Sequence, residues 1–78
     1  MNTEIQNEIM KSFMSRVNKL TVGRSTYDKF FGTVTLKKAA TETKNGSRKF
    51  SVSDSSMIRS GAYTLGGLRK ALSKAINA

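Results

Sequence analysis

The sequence predicts an α+β domain of order αββα: an N-terminal helix, an antiparallel β-hairpin and a C-terminal helix. Three observations predict it. Apolar residues recur at helical spacing near both ends, β-branched and aromatic residues concentrate in the middle, and Asn45-Gly46 divides that middle in two. A chain of 78 residues forms one domain, 1–78, with a thin core.

The first helix is read from Ile5, Ile9, Phe13, Val17 and Leu20, with Met10 and Met14 widening the stripe. Thr3 followed by Gln6 has the spacing of a capping box, and Gly23 is a terminator. Glu4 and Glu8 near the start and Arg16 and Lys19 near the end suit the helix dipole. The stripe reads as a cover for the sheet or as a dimer interface, and the two are compatible.

A first strand is read over Lys29 to Lys38 after the polar connector Gly23 to Asp28. Alternation places Phe30, Gly32, Val34 and Leu36 on one face and Lys29, Phe31, Thr33, Thr35 and Lys37 on the other. A second strand runs from Ser47 to Asp54, with Phe50 and Val52 turned inward. A two-residue Asn-Gly turn would pair Lys44 with Ser47 and send Phe50 and Val52 to the face away from Val34 and Leu36. The expected loop is therefore Lys44-Asn45-Gly46, with Gly46 left-handed, Ala40 opposite Phe50 and Lys38 opposite Val52. A wider loop of odd length keeps the same parity. The inner face then comprises Phe30, Val34, Leu36, Ala40, Phe50 and Val52.

Residues 55–63 fit either a sheet extension or a plug built on Met57 and Ile58. Thr64 caps the last helix, whose apolar side carries Leu65, Leu68, Leu72 and Ile76. Gly66 and Gly67 weaken its first turn by about 1 kcal/mol each relative to Ala.

Composition narrows the chemistry. There is no Cys and no His, so disulfides, thiolate sites and imidazole acid–base catalysis are excluded, and a metal site would have to be built from five scattered carboxylates, a poor set for zinc and a weak one for calcium. The serines stand in no catalytic motif. The chain is therefore expected to be non-enzymatic, without metal or cofactor. Self-association is the remaining support for so thin a core, and a homodimer could join two hairpins into a continuous four-stranded sheet. The opening MNTEIQNEIM is polar and acidic where a secretory leader is basic and then apolar. No run is long enough to span a membrane, and the last helix lacks the aromatic anchors of a membrane-surface helix. The expected setting is the cytoplasm, or a host cytoplasm for a viral protein.

Charge supplies the functional signal. The formal net charge is +9, from fourteen basic residues against five acidic ones. Most of the excess lies after residue 22, where Asp28, Glu42 and Asp54 are the only acids. Such a field attracts polyanions, and phosphate chains release condensed counterions when they are neutralised. Nucleic acid is the expected partner, with RNA or another single strand favoured.

Three candidate surfaces follow. The outer strand face offers Lys29, Phe31, Lys37 and Lys49, with Phe31 as a stacking platform. The hairpin tip offers Lys44, Arg48 and Lys49, with Lys37 and Lys38 at its base. The start of the last helix offers Arg59, Tyr63, Arg69 and Lys70, with Lys74 a turn further on. Each has a plainer reading: a core phenylalanine, edge-strand lysines that oppose aggregation, and glycines that permit close packing. In size, charge and economy the chain resembles small accessory proteins of bacteriophages. That likeness is compositional and covers no motif. The basic charge also suits a rival role, an inhibitor or antitoxin-like protein that blocks a host or foreign protein by covering an acidic surface or a nuclease's RNA-binding groove, directly or through bound RNA. A partner retained after nuclease digestion distinguishes the rival. A packaging protein is a third reading, marked by assembly into particles.

Overall fold

A computed structural model describes residues 3–77. Helix α1 (Thr3–Asn18) leads into four short strands, β1 (Ser25–Asp28), β2 (Gly32–Lys38), β3 (Lys49–Ser53) and β4 (Gly61–Thr64), and helix α2 (Leu65–Ile76) closes the chain. The strands form one antiparallel sheet in sequential order. The class is α+β, as the periodicities indicated. All four strands come from one chain, so a second copy is not required to complete the sheet.

Both helices pack on one face of the sheet. α1 lies against α2, β1 and β2, and α2 lies against β4. Phe13, Met14 and Val17 of α1 meet Leu68, Leu72 and Ile76 of α2 over Val34, Leu36, Phe50 and Val52. These are the inward positions of the two predicted stripes and of the strand alternation. Ile9, Met10 and Leu20 pack at the margin of this core, whereas Ile5 is largely exposed. No helix among the described residues is long and apolar enough to cross a membrane.

α1 ends at Asn18, short of Gly23. Its last amides tighten, with Lys19 N donating to Arg16 O and Leu20 N to Val17 O. The capping role expected of the Thr3 side chain falls outside what is described. At the other end of the chain, Thr64 caps α2 by accepting from Gly67 N at 3.1 Å. Thr64→Ala should lower the unfolding free energy by about 1 kcal/mol while Thr64→Ser retains it, read from urea midpoints. An unchanged midpoint in the alanine variant would deny the cap its role.

Two elements differ from expectation. The connector Ser25 to Asp28 is a strand, alternating between exposed and half-buried residues, that pairs Tyr27 with Thr33 and Asp28 with Gly32. Accordingly β2 begins at Gly32, and Lys29, Phe30 and Phe31 form the turn before it. The Asp28 carboxylate holds that turn, accepting from Phe30 N at 2.7 Å and Phe31 N at 3.1 Å. In the ambiguous segment, Met57 and Ile58 pack against the core, and sheet structure starts only at Gly61.

The central hairpin keeps the expected parity with a wider loop. Val34 pairs with Val52 and Leu36 with Phe50, so Phe50 and Val52 each sit four residues away from the register expected for the tight loop. Gly46 is left-handed as expected, at φ 72°. Ala40 leaves the inner face because Ala40–Glu42 form a 3-10 turn. Side chains stabilise that loop: Thr43 Oγ1 donates to Ser47 O at 2.8 Å, and Ala39 N donates to Glu42 Oε1 at 3.3 Å.

Candidate nucleic-acid interface

The irregular end of the β2–β3 ladder gathers the lysines. Between Leu36 and Lys38 the register shifts, so Lys37 and Lys38 together oppose Lys49. A β-bulge sets two residues against one and twists the strand locally. All three side chains are exposed, and Lys44 joins them from the loop. Lys38, Lys44 and Lys49 line a surface depression of about 410 Å³ with Glu42, Thr43 and Asn45. Among the described residues none of these four lysines forms an ion pair. Like charges placed directly opposite on a sheet destabilise it, and an anion in the depression would remove that penalty.

Charge is polarised along the strands. The end where β1 starts, β2 stops and β3 starts carries Arg24, Lys37, Lys38, Lys44, Arg48 and Lys49, with Glu42 as its carboxylate. Lys19 follows α1 to the same end, where Asn18 meets Arg48. The opposite end is balanced: Lys29 and Arg59 stand with Asp28 and Asp54. There Arg16 of α1 pairs with Asp28 at 3.8 Å.

No protein family, curated protein or solved structure matches this chain.

The sheet face away from the helices is open. Inward positions alternate with outward ones, and the outward set is Ser25 and Tyr27 of β1, Thr33 and Thr35 of β2, Ser51 and Ser53 of β3, and Ala62 of β4. Ser25 and Thr35 share a hydroxyl–hydroxyl bond of 2.7 Å. Tyr27 is 61% exposed. Sequence reasoning passed over this tyrosine because it lay in a segment read as a connector. The available signal was Thr26-Tyr27, two strand-favouring residues between Gly23 and the turn-forming Asp28.

Several candidates fall elsewhere. Phe31 is 2% exposed and belongs to the core, with its ring centroid 5.2 Å from that of Phe13. The alternation that turned it outward does not extend through Gly32, whose φ of +82° reorients the chain. Tyr63 also faces the helix side. It pairs with Phe50, packs against the core and donates its hydroxyl to Arg59 O at 2.8 Å, so it is no stacking platform.

Arg48 is not a free cation at a hairpin tip. Its guanidinium donates to Asn18 O at 2.9 Å and to Asn18 Oδ1, and it lies 5.7 Å from the Phe50 ring centroid. It fastens the loop to the negative end of α1, adding field while its donors are engaged. Lys29 is exposed in the β1–β2 turn, with its ammonium 5.9 Å from the Phe30 ring centroid. Arg59 precedes β4, whereas Arg69 and Lys70 lie on α2 after it. Arg69 lies beside Met10, Lys11, Met14, Ser15 and Asn18 of α1. Lys70 and Lys74 are exposed on α2.

Proposed function

We propose that this protein binds nucleic acid without catalysing a reaction, chiefly through phosphates and with low sequence specificity, in the cytoplasm. The observation that carries this reading is the convergence of Lys37, Lys38, Lys44 and Lys49 at one end of the sheet with no ion-pairing carboxylate among the described residues. Lysine offers phosphate a mobile point charge and little base discrimination. Hydroxyl side chains beside it can donate to or accept from any base, which agrees with low specificity.

Four phosphate contacts set the salt response. For a single strand, log affinity should fall against log salt with a slope of about −3. Lys38→Gln with Lys49→Gln should reduce its magnitude by about 1.4, since each lost contact removes about 0.7. Lys70→Gln with Lys74→Gln should leave the slope nearly unchanged, because those residues lie on α2 away from the cluster. Fluorescence anisotropy with a labelled oligonucleotide at several salt concentrations measures all three. A flat response in the parent protein would overturn the proposal.

A further inference from the structure

The open face places an aromatic, a field of hydroxyls and a lysine cluster in sequence along the strands. Tyr27 and Thr33 pair at one end, Ser25, Thr35, Ser51 and Ala62 form the next row, and Lys37, Lys38 and Lys49 stand at the far end. From Thr33 to Lys37 is four residues of strand, about 13 Å. We infer that an unpaired nucleic-acid strand crosses this face, with one base stacked on Tyr27 and its phosphates held by Lys37, Lys38 and Lys49. The inference rests on the nucleic-acid reading above and adds the form of the ligand and the residue that selects it.

The tyrosine is built as a platform. Its backbone is held by the β1–β2 ladder, by Arg16 donating to its carbonyl at 3.4 Å, and by the adjacent Asp28 turn. Its ring is largely solvent-exposed and makes no ring contact among the described residues. Stacking on a fixed aromatic needs a base whose face is free, and a duplex conceals its base faces within the stack. The rest of the face argues against a protein cover. Thr33, Ser51 and Ser53 would need new hydrogen-bond partners on burial, and the Ser25–Thr35 hydroxyl pair would lose its remaining contact with water, while Tyr27 is the one large apolar side chain among these outward residues. An unpaired strand brings donors, acceptors and a negative backbone that matches the lysine end.

The test compares a labelled oligouridylate with a duplex of equal length at fixed salt. Tyr27→Ala should weaken oligouridylate binding about 5-fold to 100-fold and leave duplex binding unchanged. Tyr27→Phe should keep the parental affinity, since the ring is retained. The protein has two tyrosines and no tryptophan, so its intrinsic fluorescence reports Tyr27 and Tyr63. Oligouridylate should quench that emission in the parent protein and leave it unquenched in Tyr27→Phe, where Tyr63 alone emits. Unaltered urea midpoints in both variants confirm that affinity is being read on folded protein. If the parent binds both ligands with the lysine-dependent salt slope, yet Tyr27→Ala binds oligouridylate normally, this inference fails and the phosphate reading survives. If the parent binds neither ligand, both fail.

Discussion

Phe31→Ala should destabilise the protein by about 3–5 kcal/mol, a large share of the roughly 4–12 kcal/mol typical of a domain of this size. The ring is almost wholly buried, stacked obliquely against Phe13 with an interplanar angle of 42°. Removing it forfeits apolar burial and an aromatic contact and opens a cavity beneath α1. The main chain around it cannot readily collapse, because the Asp28 carboxylate holds the amides of Phe30 and Phe31. Urea unfolding followed by circular dichroism measures the loss. The same result assigns the aromatic roles: Phe31 supports the fold, and Tyr27→Ala leaves the midpoint within about 0.5 kcal/mol, as is usual at an exposed site. A folded Phe31→Ala protein of normal stability would contradict this assignment and restore Phe31 as a surface residue.

Gly32→Ala should be comparably severe, at about 3 kcal/mol or more. Two costs combine. Left-handed backbone at φ +82° costs a residue with a side chain about 1–2 kcal/mol. The added Cβ would also lie 2.5 Å from Ser53 O, 2.6 Å from Ser55 N and 2.7 Å from Ser55 Cα. All three atoms are backbone, so relief requires the end of β3 to move away from β2, an overpacking cost of about 1–3 kcal/mol. Gly46→Ala is the matched control. Its φ is +72°, but a Cβ there meets nothing within 4 Å, so only the conformational cost of about 1–2 kcal/mol remains. Equal midpoint shifts in the two variants would show that the close approach of β2 and β3 at Ser53 contributes nothing.

These two positions mark where local pattern stops being a guide. Alternation is a property of continuous extended chain. It assigned Val34, Leu36, Phe50 and Val52 to the core face correctly, because each lies within one strand. It assigned Phe31 wrongly because a left-handed glycine separates that residue from the strand. The loop parity was legible, since a slip of one residue would have turned Phe50 and Val52 to solvent. The loop length was not, because any odd length satisfies that condition, and the choice rested on contacts such as Thr43 with Ser47 that no spacing announces. Of the lysine cluster, the residue types and their crowding could be read directly. Their meeting at Lys49 depends on a bulge in the ladder, and the separate employment of Arg48 depends on α1 ending at Asn18 beside it.

By itself the sequence determined the two helices and their buried faces, the inward placement of Val34, Leu36, Phe50 and Val52, the cap at Thr64 and the excess of positive charge. These follow from periodicity and composition, which act over neighbours along the chain. Only the tertiary structure decided that β1 and β4 complete the sheet, that both helices share one face, and that Tyr27 rather than Phe31 looks out from the other. Those outcomes depend on which distant segments meet. A four-residue strand has too few local contacts to declare itself until a partner strand supplies its hydrogen bonds.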